Sequence, residues 1–203
     1  MIKLKYCIEN INNLSYFQKD YLTIKQNKKN AIEKIKNLDD KKRVILGEQL
    51  LIKGLQKYYN INYDDVNIQL NENGKPYISD SKYSNVKYNI SHSHDYSICV
   101  FSSNAIGVDI EKIRKVNINI ANQFATPNEI NYILSSENQV FQRFFTIYTL
   151  KESYFKMLGD NLNNIKNIEF TINGDIISCS DPKTKFNIIN TIDGYVISIC
   201  ERI

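Results

Sequence analysis

In Ala105-Ile106-Gly107-Val108-Asp109-Ile110-Glu111 the apolar Ile106, Val108 and Ile110 alternate with Gly107, Asp109 and Glu111. This is the period-two pattern of a strand with one apolar face. Two anions at i and i+2 on the other face repel unless something positive lies between them. A hard divalent cation with oxygen ligands is the simplest such group. A solvated face carrying both charges explains this segment equally well. Farther along, Phe141, Phe145, Tyr148, Glu152 and Phe155 recur at spacings of four and three, as one helix face does. Glu152 is therefore expected on a core-facing stripe, where a carboxylate needs a cation. Lys156, one helical turn on, is one candidate; a metal shared with Asp109 and Glu111 is another, and the two are compatible. We expect Asp109, Glu111 and Glu152 to hold one metal ion, Mg²⁺ by preference, with Mn²⁺ also suited to hard oxygen ligands. Lys151 and Lys156 beside it suit phosphate oxygens.

Both histidines of the chain lie in Asn89-Ile90-Ser91-His92-Ser93-His94. A His-x-His pair on a strand is a zinc signal, but no third ligand is placed beside it. The hydroxyls of Ser91 and Ser93 flank His92 just upstream of the carboxylate strand, and a phosphate would find donors there. Neither GxxxxGK[ST] nor GxGxxG is present, which excludes the two commonest nucleotide cradles and leaves phosphate binding to side chains.

The elements that must carry these residues read as an alternation. Strands are predicted at 2–8, 86–92, 96–102, 105–111, 167–172, 175–179, 185–191 and 195–201, with Asn73-Gly74 a turn. The stretch 12–60 reads as mainly helical, its clearest helix running from about Asp40 to Tyr59. Thr126-Pro127-Asn128-Glu129 has an N-cap, a proline at the first position and a glutamate three residues on; a longer helix spans about 139–158. Helix-then-strands occurs twice, so the expected fold is α+β: a pseudo-twofold pair of similar subdomains, 1–103 and 104–203, with the active site in the cleft between them.

At 203 residues, 42% hydrophobic and 24% charged, the chain has the composition of a soluble globular protein. Its net charge of +4 is modest but uneven, because Lys25, Lys28, Lys29, Lys34, Lys36, Lys41, Lys42 and Arg43 stand close together. That stretch would suit an anionic ligand or acidic protein partner, or is simply a solvated face. Cys7, Cys99, Cys179 and Cys200 are far apart with no CxxC spacing, which fits free thiols in a reducing cytoplasm. No secretory signal is visible, and no run approaches the roughly 20 apolar residues of a membrane helix.

Four blocks together resemble a known family. Asn-Gly-Lys-Pro at 73–76, Asn-Ile-Ser-His-Ser at 89–93, Gly-Val-Asp-Ile-Glu-Lys at 107–112 and Lys-Glu-Ser-Tyr-Phe-Lys at 151–156 stand in the order and spacing of the 4′-phosphopantetheinyl transferases, of the monomeric, surfactin-synthetase-activating type. The resemblance implies coenzyme A bound in the cleft, with Mg²⁺ on its pyrophosphate held by Asp109, Glu111 and Glu152. It implies that His92 and Lys156 hold pyrophosphate oxygens with Ser91 nearby, that Lys75 and Pro76 line the adenine end, and that Lys28 and Arg43 grip the 3′-phosphate. The acceptor would be a serine of an apo acyl or peptidyl carrier protein, with Glu152 the general base and Lys156 and His92 acting beside it. Glu129 falls near a second acid that some members carry. No nucleic-acid or membrane partner is expected. Two other functions are weighed: a non-catalytic coenzyme A or carrier-binding protein, and a metal-dependent pyrophosphatase cleaving coenzyme A with water. The chain departs from the family at His94, where glycine is usual, at Tyr148 for tryptophan, at Ala31 for a lysine, and at Asp160-Asn161 after Gly159.

Overall fold

The computed structural model describes residues 4–13, 21–160, 162–174 and 176–203. The same series of elements runs twice. It begins with β1 (Lys5–Asn10), helices α1 (Gln26–Glu33) and α2 (Leu38–Tyr59), the short hairpin β2 (Ile68–Leu70) and β3 (Pro76–Ile78), then β4 (Lys87–Ser93) and β5 (Tyr96–Ser102). It resumes with β6 (Ile106–Lys112), α3 (Pro127–Leu134), α4 (Val140–Leu158), the hairpin β7 (Phe170–Asn173) and β8 (Ile176–Cys179), then β9 (Thr184–Ile189) and β10 (Tyr195–Arg202). In each series the first strand pairs with the last and the last with the one before it, giving antiparallel sheets β1-β5-β4 and β6-β10-β9. The architecture is α+β.

Several local expectations need correction. The stretch 12–60 is mainly helical as expected, but as two helices rather than one continuous run. Ile11–Asn13 is a 3₁₀ turn, residues 14–20 lie outside the described residues, and α1 and α2 are separate helices. Asn37 starts α2 by accepting from the backbone N–H groups of Asp39 and Asp40, a side-chain cap that competes with continuing helix. The strand expected at 167–172 begins only at Phe170, after a 3₁₀ segment at Leu162–Asn167. Strands β2 and β3, flanking the Asn73-Gly74 turn, are too short at three residues each to show a period. Ile2 and Lys3 of the first strand, residue 175 and Asn161 lie outside the described residues. Thr126 and Glu129 do form a complete capping box, with Pro127 in the first turn.

Alternation explains how two sheets share one interior. Along β5, Cys99 and Phe101 face the core under α2, which contains Leu46, Leu50, Leu51 and Leu55. Ile98 and Val100 face the other way, into a second core with Ile106, Val108 and Ile110 of β6 and Ile197 and Ile199 of β10. A third core, around Phe144, Phe145, Ile147 and Leu150, lies under α4 and takes Val196 of β10. The apolar face of β6 thus fuses the two halves, and its other face is turned toward α4 rather than solvent: Asp109 is only 4% exposed.

Gly107 sets the distance between α4 and β6. A Cβ placed there would lie 2.1 Å from the carbonyl oxygen of Ser153 and 2.3 Å from the backbone nitrogen of Met157. Helix backbone cannot give way as a flexible side chain can. Gly107→Ala is therefore expected to destabilise the fold by about 1–3 kcal/mol, measured as a lowered midpoint of urea unfolding; an unchanged midpoint would show that α4 is free to move away from the strand.

Candidate active site

Strands β4 and β6 are each at the edge of their sheet, and no backbone ladder joins them. Side chains of β4 replace the ladder. Asn89 Oδ1 accepts from the N–H of Val108 at 2.9 Å, Ser91 Oγ from that of Ile110 at 3.4 Å, and Ser93 Oγ from that of Lys112 at 3.3 Å. The two serines then donate onward, Ser91 to Asp109 Oδ1 at 2.9 Å and Ser93 to Glu111 Oε2 at 2.9 Å. Every second residue of one strand so holds both the backbone and the carboxylates of the other. The hydroxyl protons expected to be offered to phosphate are already directed at the carboxylates.

Helix α4 closes the site from above. Lys156 Nζ donates to Asp109 Oδ1 at 2.6 Å and to Ser91 Oγ at 3.0 Å, tying α4 to strands from both halves. Glu152, one turn back, is half-buried rather than in the core, and lines a cleft of about 410 Å³ with His92, Asp109, Glu111, Tyr148 and Lys156. Burial first, and then the charge of Asp109, raises the Glu152 carboxyl above its ordinary range, opposed by Lys156 and a hydrogen bond from Tyr148. Tyr148 packs edge-on against Phe124 at 5.2 Å, so the ring that stands in place of tryptophan is held by aromatic contact and also supplies a donor to Glu152.

Among the described residues, no three His, Cys, Asp or Glu side chains form a ready ligand group for a metal. The three carboxylates face one cleft, but Asp109 Oδ1 is taken by Lys156 and Ser91, and Glu111 Oε2 by Ser93 and Arg114, the latter at 3.3 Å. Asp109 Oδ2 is buried with no hydrogen-bond partner. A buried carboxylate oxygen without a donor is costly, and with the raised Glu152 carboxyl beside it the donor set fits a hard cation.

The basic groups separate into three kinds. Arg43 donates from Nη1 to the carbonyl of His94 at 2.7 Å and pairs with Asp40. The imidazole of His92 is pushed below its usual pKa by desolvation first, then by the charges of Lys156 and Arg43. His94 itself sits at φ +48° in the two-residue turn between β4 and β5, a backbone region that costs a non-glycine residue energy. Lys75 and Pro76 line a second pocket of about 260 Å³ that shares Ile90, Glu152 and Lys156 with the first. Lys28, by contrast, reaches Glu48 of α2 at 3.6 Å and lines neither pocket; Lys29, near the missing lysine at Ala31, donates to the carbonyl of Leu22.

Lys151 is the clear correction. It was expected beside Glu152 as a phosphate ligand, but it is 0% exposed and points into the core under α4. There it meets Glu129, also 0% exposed, at 2.8 Å, and donates to the carbonyls of Ile165 and Ile168. Glu129 completes the network by accepting from the N–H groups of Thr126 and Phe170. Glu129 is thus a structural partner of the lysine, and both belong to the scaffold of α3, α4 and β7.

Comparison with known proteins bears on the same segments. The family described as "4′-phosphopantetheinyl transferase, N-terminal" matches residues 13–104, and that described as "4′-phosphopantetheinyl transferase superfamily" matches residues 105–200. The chain is 34% identical over 140 residues to the 4′-phosphopantetheinyl transferase gsp of Aneurinibacillus migulanus, covering 68% of this chain and 57% of that protein. It is 35% identical over 126 residues to ffp of Bacillus subtilis, covering 62% and 55%, and 30% identical over 141 residues to Sfp of Bacillus subtilis strain 168, covering 69% and 62%. The matched region spans less than two thirds of each relative's own length. No helix among the described residues is long and apolar enough to cross a membrane.

Two predictions follow from the charges of this region. Lys151→Met leaves Glu129 buried and unpaired, and is expected to cost about 3–5 kcal/mol in urea unfolding, part of which Glu129→Gln added to it restores; a cost under about 1 kcal/mol would mean that water reaches Glu129. Burial pushes Lys75 from 10.5 down to about 8. Between those values the unfolded chain holds a proton that the folded chain has released, so this group's contribution to stability rises with pH across the window. The stability of the unmodified protein should therefore climb more steeply from pH 8 to 10.5 than that of Lys75→Met, read from urea midpoints at each pH; parallel profiles would refute the shift.

Proposed function

The chain belongs to the 4′-phosphopantetheinyl transferase superfamily, and from that premise we propose that it transfers 4′-phosphopantetheine from coenzyme A to a serine hydroxyl of an apo carrier protein, releasing adenosine 3′,5′-bisphosphate. The observation that carries this reading is the cleft in which His92 and Lys156 face Asp109, Glu111 and Glu152. It sets an ammonium, an imidazole and acidic groups side by side where a pyrophosphate and a hydroxyl proton must both be handled.

Asp109, Glu111 and Glu152 are the residues that would hold Mg²⁺, through the orphaned Asp109 Oδ2 and the oxygens facing the cleft. When bound, the ion supplies charge neutralisation on the pyrophosphate and polarises the phosphorus under attack. The remaining roles belong to the chain itself. Lys156, already desolvated in part and held by Ser91, offers its ammonium to phosphate oxygens. His92 donates beside it, and Arg43 adds positive charge behind His92. Ser91 orients Asp109 and Lys156 toward each other rather than binding phosphate itself. Lys75 and Pro76 wall the adjoining pocket, where the nucleotide end of coenzyme A lies in this reading.

The reaction forms a bond from the serine Oγ to the β-phosphorus of coenzyme A and breaks that phosphorus's bond to the oxygen bridging it to adenosine 3′,5′-bisphosphate. The serine proton passes to Glu152, directly or through one water. Glu152 lines the same cleft as His92 and Lys156, and a positioned carboxylate can serve as a general base. The acceptor is a small acidic carrier domain of the acyl or peptidyl type, for which the lysines between Lys25 and Arg43 provide a complementary surface; Lys28 contributes there or to the 3′-phosphate. The protein works as a cytoplasmic monomer.

Incubation with coenzyme A, Mg²⁺ and a panel of apo carriers should raise the intact mass of at least one carrier by a single phosphopantetheine. Glu111→Ala should abolish the gain, and Glu152→Gln should slow it by about 10²–10⁴-fold. Unchanged mass across acyl, peptidyl and other carriers would sink the reading. Release of 4′-phosphopantetheine without any carrier would point to a pyrophosphatase instead.

A further inference from the structure

The loop joining β2 to β3 caps a helix in the other half of the protein. Helices end with carbonyls that find no partner within the helix, and α4 meets that need partly by its own means: the N–H of Gly159 returns to the carbonyl of Phe155 at 2.9 Å. The rest comes from across the cleft. Asn71 Nδ2 and Asn73 Nδ2 both donate to the carbonyl of Gly159 at 3.0 Å, and Lys75 Nζ donates to the carbonyls of Met157 at 2.9 Å and Ile106 at 3.2 Å. The fit is close. A Cβ on Gly159, itself at φ +70°, would lie 2.8 Å from Asn71 Nδ2 and 3.0 Å from Lys75 Cδ.

Asn71 is the centre of this contact because every one of its polar groups is used. Its backbone N–H donates to the carbonyl of Lys75 at 2.9 Å, and its own carbonyl accepts from Gly74 at 3.0 Å. Its side-chain oxygen accepts from the N–H groups of Asn73 at 3.0 Å and Lys75 at 2.8 Å. Two backbone donors converge on one end of the amide and a backbone carbonyl on the other, which fixes the orientation of the amide. One side chain therefore shapes the turn that presents Lys75 and Pro76 to the second pocket, and holds the last turn of α4, which carries Lys156, against that turn.

We infer that Asn71 is a positioning residue for Lys156: it locks the loop at 71–75 to the end of α4, so that the pocket wall and the ammonium facing the cleft move as one body. For turnover this rests on the transferase reading above; the lock itself does not. Asp is the informative replacement, because Asn71→Asp keeps the acceptor that the turn needs and removes the donor to Gly159. Since Asn73 donates to the same carbonyl, the double variant Asn71→Asp with Asn73→Ala is made as well.

The double variant is expected to keep the melting temperature within about 4 °C of the parent, yet to lose between about tenfold and a hundredfold in kcat for carrier modification with a smaller change in KM for coenzyme A. Hydrogen exchange of the backbone amides at 156–160 should be faster than in the parent, without any ligand. Parent-like exchange there overturns the lock. A fall in kcat matched by a fall in the folded fraction overturns the positioning role in favour of a merely structural one. If the parent modifies no carrier, the transferase reading fails, and the exchange measurement still decides the lock.

Discussion

The seam between β4 and β6 is the contact on which the rest of the site depends. Two sheet edges meet there, and exposed edges ordinarily invite pairing by backbone ladders. Here the donors of β6 are satisfied by the side chains of Asn89, Ser91 and Ser93 instead. Side-chain bridging also lets the same hydroxyls reach the carboxylates of Asp109 and Glu111. A backbone ladder could satisfy β6 but could not orient two acids at the same time.

Burial gives that seam its electrostatic character. Asp109 is almost wholly buried, and a buried carboxylate without compensation is costly. Lys156 provides one opposite charge, Ser91 one donor, and the second carboxylate oxygen is left without a partner inside the protein. Glu152 stands beside it with its carboxyl raised. The cleft is thus a place where negative charge is concentrated and incompletely balanced. Gly107 makes this possible at the backbone level, since only a residue without a Cβ lets α4 come down far enough for Glu152 and Lys156 to reach β6.

Contacts along α4 show how the repeated halves depend on one another. At one side, Lys151 is sunk into the second half and paired with Glu129, which fixes the rotation of the helix about its own axis. At its C-terminus the loop from the first half receives its carbonyls. The helix that carries the acid and the ammonium is therefore held within its own half by a buried ion pair and from the opposite half by hydrogen bonds. The cleft is lined from both halves, by Ser91 and His92 of the first and by Asp109, Glu111, Glu152 and Lys156 of the second.

By itself, the sequence was enough for much of what is local in the chain, though not for the Asn37 cap between α1 and α2 or the late start of β7 at Phe170. The alternation of Ile106, Val108 and Ile110 with Gly107, Asp109 and Glu111, the box of Thr126 and Glu129, the turn at Asn73-Gly74, and the four spaced blocks of the family all rest on neighbours along the backbone. What the tertiary structure alone decided concerns partners that meet across long separations. Lys151 and Lys156 are both near Glu152 in sequence, yet five residues turn a helix by about 140°, so one lysine enters the core and the other faces the cleft. Whether Ser91 and Ser93 would offer their protons to phosphate or to the neighbouring strand depended on how closely β4 approaches β6. Nor could spacing show that Asn71 caps a helix end 88 positions away. Local periodicity places a side chain on a face; only the packed chain determines what that face meets, because the partner is chosen by close packing and by the cost of leaving a buried polar group unpaired.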